Sequence, residues 1–257
     1  MQKPNQLSES DQKHRRIAKI LAISFGILFL IHFLIISILY SWADWAATFI
    51  FAFLLIIPAY ISNAGMVIVG GGKPIDGGKN FFDGRRLFGD NKTWKGILFG
   101  PLYVGIPISI GIFLVFLILW ENIIPIIQSA SDAGIYQLYS EKFVFDYYFV
   151  GIGYPLGFIS LIIRIILCSY GAGIGDLIGS FLKRRFNIAS GKPFWVVDQL
   201  DFAIFTILFT SIAALIFPNQ FLIPDLNITI FLLILTPSVT IIANIIAYFI
   251  GVKDVPW

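Results

Sequence analysis

Six long apolar runs divide the chain, at roughly residues 17–40, 46–69, 97–120, 149–171, 202–223 and 228–250, and each has the ~20 residues that a bilayer-crossing helix needs. They predict an all-α, polytopic integral membrane bundle of about six transmembrane helices. Polar residues concentrate in three places: the first 16 residues, the stretch 70–96 and the stretch 174–201. The order of the runs puts these segments on one side, where the two polar loops are expected to form an active site.

The basic residues test that grouping. Lys3, Lys13, Arg15, Arg16 and Lys19 precede or open the first run, Lys73, Lys79, Arg85, Arg86, Lys92 and Lys95 lie in the first polar loop, and Lys183, Arg184, Arg185 and Lys192 lie in the second. Lys253 follows the last run, whereas the opposite set of connections holds only Lys142. By the positive-inside rule both termini and both polar loops are expected in the cytoplasm of a multi-pass cell-membrane protein. The first run is longer than the apolar region of a signal peptide and no A-x-A site follows it, so a retained helix is expected.

Composition agrees with a membrane protein: 58% hydrophobic and 13% charged residues, with a mean hydropathy of +0.86, lie outside the soluble range. The net charge of +3 is too small to suggest a nucleic-acid partner. Cys168 is the single cysteine, which excludes an internal disulfide and a CxxC metal site.

The first loop, Gly70 to Gly96, mixes glycines and three aspartates with Lys73, Lys79, Arg85, Arg86, Lys92 and Lys95. Glycine lets backbone N–H groups approach phosphate oxygens, arginine offers a planar fork and lysine a mobile point charge, so the loop favours a polyanion. A plain solvated loop obeying positive-inside is the competing reading. Gly70–Gly71–Gly72–Lys73 is no Walker A loop, because Pro74 follows the lysine and Val67 stands at the first glycine position. Asn91–Lys92–Thr93 fits a glycosylation sequon, which the expected cytoplasmic side argues against.

In the second loop, Asp176, Ser180, Lys183 and Arg184 share a face if the fourth helix continues through them. Asp198 and Asp201, three apart at the mouth of the fifth run, also share a direction, and Gly191 and Pro193 let the segment fold back. Convergence of the three carboxylates suits Mg²⁺, which takes oxygen ligands and keeps water and substrate phosphates in its shell. Ordinary surface ion pairs, worth roughly 0–1 kcal/mol each, are the alternative. Arg164 either snorkels or faces a polar cavity, and an intramembrane charge favours function. His14 reads as a tail residue and His32 as a helix-packing residue.

Pro74–Asp76 (PID), Asp83–Arg86 (DGRR), Gly89–Gly96 (GDNKTWKG) and the terminal Val252–Trp257 (VKDVPW) together resemble the archaeal CDP-archaeol synthase family, a branch of the CTP-dependent phosphatidate cytidylyltransferases. Ser180–Arg184 (S-x-x-K-R) and Asp198–Asp201 (D-x-x-D) are similar to the wider superfamily's signature, and the likeness covers most of the chain from about residue 58 onward. The segment Asn187–Asp201 (NIASGKPFWVVDQLD) lacks the Lys-Asp pair and the His-Gly-Gly of the bacterial and eukaryotic pattern, which supports the archaeal branch and argues against a catalytic histidine.

The resemblance implies attack by a lipid phosphate oxygen on the α-phosphorus of CTP, with release of pyrophosphate. The lipid it implies is 2,3-bis-O-geranylgeranyl-sn-glycerol 1-phosphate. It further implies Asp176, Asp198 and Asp201 on Mg²⁺, Lys183 and Arg184 on phosphates, and Ser180 as a hydrogen-bond donor. Lys92, Thr93 and Lys95, with Arg85 and Arg86 behind them, are expected at nucleotide or lipid phosphate, while Asn63, Asn91 and Arg164 are candidates to line the site. Residues 1–45 then form a tail plus an additional helix, and 46–257 the membrane-embedded cytidylyltransferase core. A secondary transporter, suggested by Tyr154–Gly157, and a CDP-alcohol phosphotransferase, suggested by Asp83–Gly84, are the rival readings.

Overall fold

The computed structural model describes residues 9–153, 157–189 and 192–251; residues 1–8 with Lys3, Tyr154, Pro155, Leu156, Ser190, Gly191 and Val252–Trp257 lie outside the described residues. Helices α1 (Glu9–Leu39) and α2 (Trp42–Val69) precede the first polar loop. The third span joins α3 (Trp94–Gly100), a π-helical turn (Pro101–Gly105) and α4 (Ile106–Asp132). A short α5 (Lys142–Phe149), then α6 (Phe158–Arg185), α7 (Val197–Ile216) and α8 (Leu226–Phe249) complete the order. Among the described residues there is no strand, and six helical stretches are long and apolar enough to cross a membrane. The chain is therefore an all-α, multi-pass membrane protein.

The third and fourth spans differ from the pattern of the runs. The third continues to Asp132, because Gln128–Asp132 keep helical geometry beyond the apolar stretch. The fourth begins at Phe158 and runs on through the polar residues to Arg185, so Asp176, Ser180, Lys183 and Arg184 do belong to one helix. Residues 142–149 form a short helix where the pattern of runs leaves only a connection ahead of the fourth run. Pro101, which has no N–H to donate, starts the widened turn in which the Ile106 N–H reaches the Pro101 carbonyl.

Lipid tails are as apolar as leucine, so spans associate by close packing, and glycine sets how close two backbones come. A β-carbon on Gly100 would stand 2.6 Å from the Met66 Cα, which fixes α3 against the end of α2 and closes the stem of the first loop. On α6, a β-carbon at Gly175 would stand 2.6 Å from the Asp201 carbonyl oxygen, and one at Gly179 would collide with the Asp201 carboxylate. Gly171 continues this stripe against Phe205. Helices α6 and α7 thus meet backbone to backbone where they carry Asp176 and Asp201.

Arg164 lies near the other end of α6 and is 1% exposed. Its guanidinium donates to the carbonyl oxygens of Tyr147 and Tyr148 and sits 4.6 Å from the Tyr147 ring centre. Those carbonyls belong to the last turn of α5 and lack intrahelical partners, so Arg164 caps that helix. This corrects the expectation that it snorkels or lines the polar site. His32 packs on Phe231 with ring centres 5.1 Å apart, as a helix-packing residue should, whereas His14 stands on α1 and not in a tail.

Gly175→Val should lower stability by about 1–3 kcal/mol by pushing α7 off α6, seen as a reduced Tm in detergent. Arg164→Met should cost about 3 kcal/mol by leaving two buried carbonyls unpaired. Unchanged Tm with lost turnover in the Arg164 variant would instead assign that residue to the site.

Candidate active site

The first loop is built around Asp76, whose side chain is fully buried. Arg86 grips it with both arms of its fork, Nε and Nη2 each 3.1 Å from a carboxylate oxygen. The N–H groups of Gly78, Phe88 and Gly89 donate to it at 2.9–3.0 Å. Burial alone would raise the Asp76 pKa, but Arg86 and the three N–H groups outweigh it and hold the carboxyl well below the usual range. Arg86 also pairs with Asp90 at 2.7 Å, and its own pKa is raised by these two carboxylates.

The ends of the loop are laced together by the Ile75 N–H to Lys92 carbonyl bond at 2.8 Å and the Trp94 N–H to Lys73 carbonyl bond at 3.4 Å. Thr93 caps α3 through the Gly96 N–H at 3.1 Å, which turns the preceding residues toward α6. Lys92 is thereby aimed at Asp176, with Nζ 2.6 and 2.5 Å from the two carboxylate oxygens.

These residues face a cleft of about 450 Å³, lined by Asn63 and Met66 of α2, Gly70–Gly72, Asp90, Asn91, Lys92, Thr93 and Asp176. Positive φ angles at Gly71 (100°) and Gly72 (84°) let the chain reverse along its rim. Just behind, Asp201 lies within electrostatic reach of Asp176, Asp198 and Lys92, with its Oδ1 accepting from the Phe202 N–H at 2.6 Å. Asp198 pairs with Lys183 at 2.7 Å and accepts the Phe194 N–H at 2.9 Å.

The structure therefore brings Asn63, Asn91, Lys92, Thr93 and Asp176 to one cleft, with Asp201 and the Lys183–Asp198 pair beside it. Other expected residues have different surroundings. Lys95 is exposed on the first turn of α3, away from the cleft lining, because Thr93 caps the helix with the next residues turned outward. Ser180 is buried on α6 beside the Gly179 contact and does not line the cleft.

The Arg85 side chain reaches the Arg185 carbonyl, and Arg86 is committed to Asp76 and Asp90. Arg184 donates to the carbonyls of Phe88 (3.2 Å) and Ile188 (2.9 Å), which joins the two loops. Arg185, absent from the sequence-level candidates, pairs with Asp83 at 2.9 Å and lies 4.6 Å from the Phe181 ring centre. The available signal was the Lys183–Arg184–Arg185 run at a helix C-terminus, where cations complement the helix dipole.

The three aspartates do not assemble into one metal-ligating cluster among the described residues. Asp176 turns to Lys92, Asp198 turns to Lys183, and Asp201 is held against Gly179 by the α6–α7 contact. The donor set does fit a cation held by one or two carboxylates, since Asp176 already receives an ammonium on both oxygens.

Asp76→Asn should loosen the first loop without unfolding the bundle. Amide exchange at Gly78, Phe88 and Gly89 should quicken by roughly tenfold, the loss of about one charge-assisted hydrogen bond at each amide.

Comparison with known proteins agrees with the motifs. The CarS-like family model, described as CDP-archaeol synthase, matches residues 45–131 and 119–257. The CDP-archaeol synthase of Methanococcus aeolicus is 40% identical over 207 residues, covering 80% of this chain and 95% of the relative. That of Thermococcus kodakarensis is 37% identical over 214 residues, covering 83% and 99%. A solved structure of an intramembrane enzyme for archaeal membrane lipids biosynthesis is 27% identical, covers 76% of this chain and 92% of its own, and superposes with a TM-score of 0.48. On the family match and the near end-to-end relatives, the chain belongs to the CDP-archaeol synthase family, enzymes of archaeal lipid biosynthesis and CTP-dependent nucleotidyltransferases.

Proposed function

We propose that this chain transfers CMP from CTP to 2,3-bis-O-geranylgeranyl-sn-glycerol 1-phosphate at the cytoplasmic face of the cell membrane, releasing pyrophosphate and leaving a CDP-archaeol-type lipid. The observation that carries the reading is the cleft where Lys92, from the first loop, meets Asp176, from a membrane-spanning helix. One wall is polar loop and the other is the end of a span. A water-soluble nucleotide and a lipid head group can therefore both reach it. The basic residues on the loop side support a cytoplasmic orientation.

The chemistry asks little of a general base. A phosphate monoester has its second pKa at about 6, so the attacking oxygen is already largely ionised at neutral pH. The protein has to position two anions against each other and neutralise the charge that develops on the leaving pyrophosphate. Lys92 and Lys183 suit that task because their ammonium groups sit on flexible stems and can move from carboxylate to phosphate oxygen. Asn63, Asn91 and Thr93 line the same cleft and supply uncharged donors to the nucleotide.

Asp176 and Asp201, with Asp198 beside them, are the residues to hold Mg²⁺, which when bound supplies charge neutralisation on the triphosphate. The arginines keep the two loops in register, which preserves the cleft before either substrate arrives. Residues 46–257 act in this reading as the catalytic core.

Purified protein given CTP, Mg²⁺ and lipid should form a CDP-lipid, with the isoprenoid ether phosphate preferred over phosphatidic acid and no product in EDTA. Asp176→Asn and Lys92→Ala should each lower kcat/KM by about 100-fold or more, with the Tm of Asp176→Asn near that of the wild type. No product from either lipid with a folded preparation refutes the synthase reading.

A further inference from the structure

The matched part of the chain begins at residue 45, so α1 stands outside it, yet α1 touches the second loop. The indole Nε1–H of Trp195 donates to Nδ1 of His14 at 3.2 Å, with ring centres 6.0 Å apart. Along most of its length α1 presents exposed apolar residues such as Ile23, Leu30 and Ile38, as a helix surrounded by lipid should. Its packing partners in the bundle are α8 and α2. The His14 end extends this packing to the second polar loop.

Trp195 sits in a tightly wound segment. Phe194 donates its N–H to the Asp198 carboxylate at 2.9 Å and accepts the Asp198 N–H on its carbonyl at 3.0 Å. Val196 caps α7 with a φ of 69° and a ψ of −46°, a left-handed backbone that a β-branched residue adopts only under strain. Its carbonyl accepts the N–H groups of Gln199 (3.2 Å) and Leu200 (3.0 Å). Such a conformation persists where the surroundings over-determine it. A side chain pinned on each side of the strained residue supplies that constraint: Trp195 to His14, and Asp198 to Lys183 at 2.7 Å.

We infer that α1 is a strap for the catalytic end of the bundle, and that His14 is a positioning residue which, through Trp195, holds the 194–198 turn so that Asp198 faces Lys183. The catalytic consequence rests on the synthase reading given above; the structural consequence does not.

The test is a cycle of full-length variants, His14→Ala, Trp195→Phe and the double variant, with His14→Asn as the conservative replacement. Asparagine places an acceptor oxygen near the position of Nδ1. Hydrogen exchange at the amides of Asp198, Gln199 and Leu200 should speed up about fivefold or more in each single variant and no further in the double, while His14→Asn restores protection. In the same proteins kcat/KM for CTP should fall on the order of tenfold, again without additivity and again rescued by asparagine. Exchange that is unchanged in the single variants, or effects that add in the double, would overturn the strap. If the wild type turns over no CTP, the synthase reading fails and the exchange measurement alone decides the strap.

Discussion

Close contact of α6 with α7 is the constraint on which the site depends. Inside a bilayer no gain in apolar burial draws one span to another, so association needs backbones near enough for dense packing. Gly171, Gly175 and Gly179 form a stripe one turn apart on α6, and the first turns of α7 lie directly on it. That stripe carries Asp176 between two of its glycines and faces Asp201 across the contact. Three acidic groups are thereby gathered at one end of the bundle, a costly arrangement whose repulsion Lys92 and Lys183 offset with ion pairs at 2.5 and 2.7 Å.

The two kinds of cation divide the work by geometry. Arginine, with a rigid planar fork, makes several directed bonds at once. Here Arg86 locks Asp76, Arg184 and Arg185 fasten the second loop to carbonyls of the first, and Arg164 closes the end of α5. Lysine, with a point charge on a flexible stem, pairs with the aspartates of the site at Lys92 and Lys183. An Arg-for-Lys exchange at either place would trade mobility for fixed direction.

The opposite end of the bundle is held by different means. Asp44 is buried and accepts the N–H groups of Gln137, Leu138 and Tyr139 at 2.9–3.0 Å, which ties the connection after α4 to the start of α2. Asn227 links Thr48 to Tyr139 across α2 and α8. With that end pinned, the cleft end can carry charged, partly exposed side chains without the spans splaying.

The sequence by itself determined the membrane class, the six spans and the pairing of two polar loops, because bilayer thickness and the cost of buried charge act on composition and run length. Its motifs also named the family and marked Asp176, Asp198, Asp201, Lys92 and Lys183 as candidate site residues. Tertiary structure decided which neighbours those groups have. Lys92 and Lys95 are three residues apart, yet the Thr93 cap sends one into the cleft and leaves the other in the open. Arg164 stands alone in an apolar run and Arg185 closes a basic run, yet each is fixed by carbonyls contributed from another segment. The link from His14 to Trp195 spans 181 positions. Hydropathy and local spacing record what a residue needs, and a contact between distant residues adds where the rest of the chain has placed the group that meets it.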